Sequence, residues 1–286
     1  MTNSLVKYSL GAVAVLFIGP LAAVLLRACV SMDGSALVSP LLAVSPVMAY
    51  AATFGIIAMA AGIGCLTARL VGYRWGLLSA GLVIVWPAAR SGDIAAAFRV
   101  AGNSSALTRL AIDGFLIVAL GAAVAFAIQH LARDRQRWGA TDHGGDARPI
   151  AAPVAAAIGT AISIASCILA CFVIAQTGVK GQAIFAAACG SMLAGVLIRA
   201  LAIPAPAFSV LLGAAVVALA GPIVVSFGST SGIERAVNAT GGPAMLRVLG
   251  WDWLAGALIG LPVGLAWNTQ HHDHEQPSQT AAARPA

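Results

Sequence analysis

Between Asp113 and Leu131 the chain reads Asp-Gly-Phe-Leu-Ile-Val-Ala-Leu-Gly-Ala-Ala-Val-Ala-Phe-Ala-Ile-Gln-His-Leu, with no formal charge after the opening aspartate. About 20 apolar residues in a helix cross the hydrocarbon core of a bilayer. The stretch lacks the alternation of polar and apolar residues that a barrel strand needs. In lipid a backbone must satisfy its own polar groups, so a continuous apolar run of this length is read as a transmembrane helix.

The same pattern recurs along the chain. Working outward, the spans expected are Tyr8 to Leu26, Pro46 to Thr67, Arg74 to Arg90, Asp113 to Leu131, a helix within Ile150 to Val179, Gly181 to Ile198, Ala207 to Phe227 and Trp251 to Trp267. The first has the basic start and apolar core of a signal peptide, yet no convincing small-residue cleavage site follows and it is long enough to cross. It counts as a helix. The whole chain supports the assignment: 60% of its 286 residues are hydrophobic, 9% are charged and the mean hydropathy is +0.92. Soluble domains carry about 25% charged residues. Ala and Gly fill the helices in place of aromatics, and small residues let helices pack closely in lipid. Gly256, Gly260 and Gly264, at four-residue spacing, form such a strip. Trp residues at both ends of the last span fit the belts at headgroup depth.

The fold class expected is therefore an all-α integral membrane protein, with about eight transmembrane helices arranged as two four-helix parallel repeats. Residues 1–132 form the first membrane unit and 151–267 the second. A polar linker at 133–150 joins them, and a polar tail at 268–286 is expected to be disordered. The repeat is read from polar residues in matching order. After the third span come Pro87, Ser91-Gly92-Asp93-Ile94, Arg99, Asn103, Leu107, Arg109 and Asp113; after the seventh come Pro222, Ser231-Gly232-Ile233, Arg235, Asn238, Leu246, Arg247 and Asp252, in the same order with small gaps. Phe54 through Leu70 align without a gap to Phe185 through Leu201. An even number of helices per unit gives both units one orientation, about an axis along the membrane normal.

Orientation follows from basic residues. The densest cluster is Arg133, Arg135, Arg137 and Arg148 in the linker. That places the linker and both termini in the cytoplasm of a plasma or inner membrane protein. The net charge of +6 is juxtamembrane charge by this reading, not a nucleic-acid surface. Membrane lipid is the expected partner, with other membrane subunits a second class.

The candidate binding residues are Arg99, Asn103, Arg109, Asp113, Arg235, Asn238, Arg247 and Asp252. They form one polar series in each repeat, placed at an outward-facing vestibule. Arginines there would attract an anionic headgroup or solute. Arg109 and Asp113 are four apart and can pair on one helix face. The plainer reading is a helix start: Asp113 favours the positive end of the dipole, Arg109 snorkels, and Asn103 and Asn238 cap or turn the chain. By this count no carboxylate sits deep in a span. Asp93, Asp113, Glu234 and Asp252 show no catalytic spacing. The run His271, His272, Asp273, His274 and Glu275 reads as a solvated tail, not a metal site. Cys29, Cys65, Cys167, Cys171 and Cys189 read as packing residues. No cofactor is implied and no catalytic motif is found. The expected function is a permease-like protein binding or moving a small solute or lipid; the alternative is a non-catalytic assembly subunit of a membrane complex.

Overall fold

The computed structural model describes residues 2–31, 34, 39–101, 104–132, 152–228 and 242–267. These form helices and connecting turns, with no strand among the described residues. We label the helices α1 (Leu5–Cys29), α2 (Pro46–Leu70), α3 (Tyr73–Arg90), α4 (Ile94–Ala101), α5 (Ser104–Leu131), α6 (Ala152–Ile174), α7 (Lys180–Ala200), α8 (Ala207–Ser226), α9 (Ala244–Arg247) and α10 (Gly250–Ala266).

Six of them are long and apolar enough to cross a membrane: α1, α2, α5, α6, α7 and α8. The two other expected spans are helical but fall short of that description. α3 has 18 residues and is bracketed by Arg74 and Arg90, and α10 has 17. Both are interior helices. Leu77, Ala80, Val83, Ile84 and Ala88 of α3 are fully buried, and most residues of α10 are buried. α10 is an apolar helix that falls short by length alone, whereas α3 carries an arginine near each end.

The outside of the bundle is apolar. Phe17, Phe54, Phe172 and Phe185 are 53–68% exposed, an arrangement suited to lipid and not to water. Local irregularities have local causes. Within α1 a π-turn at Ala14–Ile18 stands beside Pro20, whose missing N–H removes a helical bond to Leu16. Pro46 opens α2 at a position where no helical N–H is needed.

α10 is the centre of the packing. It lies against α7, α3, α5 and α8, while α5 packs chiefly on α8, and α6 on α7 and α8. The glycine strip explains the α7–α10 contact. A Cβ at Gly260 would run into the carbonyl of Ala188, and one at Gly264 into that of Met192. The two helices run parallel, because Lys180 at the start of α7 reaches Asp252 at the start of α10, and Arg199 near the end of α7 donates to the carbonyl of Leu265 at 2.6 Å.

Of the tryptophans that bound the last expected span, Trp251 packs inside the bundle at 3% exposure, as does nearby Trp253 at 1%, whereas Trp267 is 65% exposed. One expectation is corrected: α5 begins at Ser104, about two and a half turns before Asp113, so that aspartate lies inside the helix instead of at its mouth.

Candidate binding site

At one end of the bundle α5, α8 and α10 approach until backbones nearly touch. A Cβ at Gly250 would stand 2.7 Å from the Cα of Gly114, and one at Gly114 would stand 3.3 Å from the carbonyl oxygen of Ala218. Beside this crossing lies a small, partly open cleft. Its polar lining comes from Ser39, Ser91, Asp93 and Asp113; Ile117, Ala218, Pro222 and Trp251 form part of its apolar wall.

Asp113 is 1% exposed. Its carboxylate accepts hydrogen bonds from the hydroxyl of Ser39, the phenol of Tyr50 and, at 2.8 Å, the backbone N–H of Leu41. All three donors are neutral. Arg109, expected to pair with it, is instead exposed, and among the described residues the one ion pair within 4 Å joins Lys180 to Asp252. Helical geometry explains the miss. Asp113 turns inward to the segment entering α2, while the outward face of α5 carries Ile112 and Leu116 along with Arg109. Asp93 stands exposed at the cleft, and its Oδ1 accepts from the N–H of Ala96 at 2.8 Å, which caps α4.

Asp252 is fully buried too, but its surroundings differ. Lys180 Nζ donates to both carboxylate oxygens, at 3.2 and 2.9 Å, and the N–H of Leu249 adds a bond at 3.0 Å. Here the carboxylate does sit in a first turn, and the bond to Leu249 is half of a capping box. Arg247 donates from Nε to the carbonyl of Gly242 at 2.7 Å and from Nη1 to that of Ala175 at 2.6 Å, tying the entry of α10 to the end of α6. Both carboxylates are thus buried within the protein, a property the sequence reading did not address.

Of the other candidates, Arg99 lies in α4. Asn103, Arg235 and Asn238 fall outside the described residues, as do the linker, the His-rich tail and Glu234. Sequence reasoning did not place Ser39, Tyr50 or Lys180 at a site, and it read Trp251 only as an interfacial anchor. One signal was available. Carried four residues back from Phe54 and Phe185, the ungapped alignment of α2 with α7 sets Tyr50 against Gly181, next to Lys180. Cys167 and Cys171 are buried, with Cys167 3.9 Å from the hydroxyl of Ser163.

No known protein family, no characterised protein and no solved structure matches this chain.

Proposed function

We propose that this chain is a permease-like membrane protein that binds and moves a small solute or lipid between two four-helix units, residues 1–132 and 151–267. One observation carries the reading: the cleft beside Gly114 holds a buried carboxylate, Asp113, with no cation against it among the described residues. Ionisable groups inside a membrane protein are costly, and one kept there without a structural partner of opposite charge marks a binding site or a transport path.

Further support comes from Pro222, which interrupts the bonding of α8 beside the cleft, as broken helices do at transporter sites. The packing supports two related units. α5 lies on α8 and α10 lies on α3, partners that exchange when the halves are exchanged, while α5 meets α10 between them. In this reading α3 and α10 complete eight spans, and the linker and both termini are cytoplasmic in a plasma or inner membrane. The cleft then opens outward, and Arg99, Asn103, Arg109, Arg235, Asn238, Arg247 and Asp252 belong to the same outer end.

The test is uptake by vesicles reconstituted with the purified protein, measured for a panel of small polar solutes and for labelled lipid. Asp113→Asn is expected to lower the initial rate by on the order of tenfold or more, with Arg109→Gln close to the parent. If no compound in the panel moves faster than in empty vesicles, and the protein co-purifies in fixed ratio with another membrane protein, the assembly-subunit alternative replaces this reading.

A further inference from the structure

We infer that the cleft beside Gly114 takes a primary ammonium group, carried within a few bonds of an oxygen acceptor on a small solute or a lipid headgroup, with Asp113 as its counter-ion. The inference deepens the permease reading by naming the ligand chemistry, and its binding test stands apart from any measurement of flux.

The first argument is a template inside the chain. At the entry of α10 a buried carboxylate is met by an ammonium from the first residue of α7, Lys180. At the same end of α5 a carboxylate equally buried is met by Tyr50, near the start of α2. The second half carries its own cation where the first half carries a neutral phenol and an adjoining cleft. An ammonium from outside would complete in the first half what Lys180 completes in the second.

The second argument counts acceptors. A primary ammonium has three N–H donors and needs three acceptors. The Asp113 carboxylate offers about four lone-pair sites and spends three on Ser39, Tyr50 and Leu41, leaving one on Oδ1, which only Tyr50 occupies. Pro222 has no N–H, so the carbonyl of Ala218 lacks its helical donor four residues on, and both residues line the cleft. The carboxylate of Asp93 supplies a third acceptor.

The third argument is independent of the acids. Trp251 also lines the cleft, is 3% exposed, and its indole N–H is buried with no acceptor among the described residues. An indole N–H is a donor only, and when buried it usually has a partner. A ligand that brought an oxygen beside its ammonium would satisfy Trp251 and Asp113 together.

The experiment uses the full chain in detergent and in lipid nanodiscs, titrated calorimetrically with ethanolamine and with ethylene glycol as its uncharged analogue. Ethanolamine is expected to bind at least about tenfold more tightly than ethylene glycol. Asp113→Asn should remove that preference. Tyr50→Lys should remove it as well, by placing a tethered ammonium against the Asp113 carboxylate, while the thermal transition stays at or above that of the parent. Stabilisation by phosphatidylethanolamine nanodiscs over phosphatidylglycerol nanodiscs, lost in Asp113→Asn, would assign the ammonium to a headgroup; a response to free ethanolamine alone would assign it to a solute. Equal titration by the two probes, or an undiminished preference in both variants, overturns the inference. Ethanolamine binding that depends on Asp113 without any uptake would uphold the site and defeat the permease reading.

Discussion

At the start of α10 the carboxylate of Asp252 is sealed in protein against the ammonium of Lys180, whereas at the same end of the bundle the carboxylate of Asp113 is just as deeply placed among a serine hydroxyl, a phenol and one amide. The two aspartates hold matching places in the polar series read from the sequence. They differ in what neutralises them. A buried ion pair is a closed arrangement, whose attraction offsets much of the cost of removing both charges from water. Neutral donors solvate a carboxylate without cancelling its charge. Asp252 thus reads as a fastening for α7 and α10, and Asp113 as a group left open to a partner. Burial alone did not separate these roles; the charge of the neighbour did.

The comparison can be broken most forcefully at Lys180. Lys180→Met strands Asp252 as a buried unpaired charge and is expected to lower stability by about 3–5 kcal/mol, measured as the shift of the denaturant unfolding curve in detergent. Adding Asp252→Asn should restore most of that loss, and a double variant no better than the single would show that the ion pair is not what holds this corner. Next comes the packing beneath it. Gly260→Val drives a branched side chain into the backbone of α7 at Ala188, with an expected cost of about 1–3 kcal/mol, read as a lower thermal transition. A neutral result would mean the helices separate freely.

Arg247→Gln removes the two bonds to the carbonyls of Gly242 and Ala175. Its expected effect is about 1–2 kcal/mol, visible as faster hydrogen exchange at the α6–α7 turn. Tyr50→Phe deletes one of three donors to Asp113 and should cost about 1 kcal/mol in the same unfolding assay. A loss as large as that of Lys180→Met would erase the distinction between the two aspartates. Smallest is Arg109→Gln. As an exposed residue without an ion-pair partner among the described residues, it should shift stability by less than about 0.5 kcal/mol, and a larger loss would point to a contact of Arg109 that matters for folding.

The sequence by itself determined the class of the protein and the location of its helices. Long uncharged runs leave lipid as the only solvent that fits, and hydrophobic length places helices without reference to any neighbour. The spacing of Gly256, Gly260 and Gly264 also announced a close contact, because that property is local to one helix face. What surrounds Asp113 was not legible. The apolar run suggested that α5 begins at Asp113, since Ala106, Leu107 and Leu110 lie among polar residues that blur the boundary, and the helix in fact starts at Ser104. A spacing of four made Arg109 the obvious partner, yet the inward turn of Asp113 brings it to Ser39 and Tyr50, more than sixty residues away in the chain. Lys180 was visible only as a loop charge until the parallel packing of α7 and α10 brought it to Asp252. Helix positions follow from the one-dimensional exchange between water and lipid. Which charge is closed and which stands open depends on contacts between segments remote in sequence, and only the tertiary structure decided that.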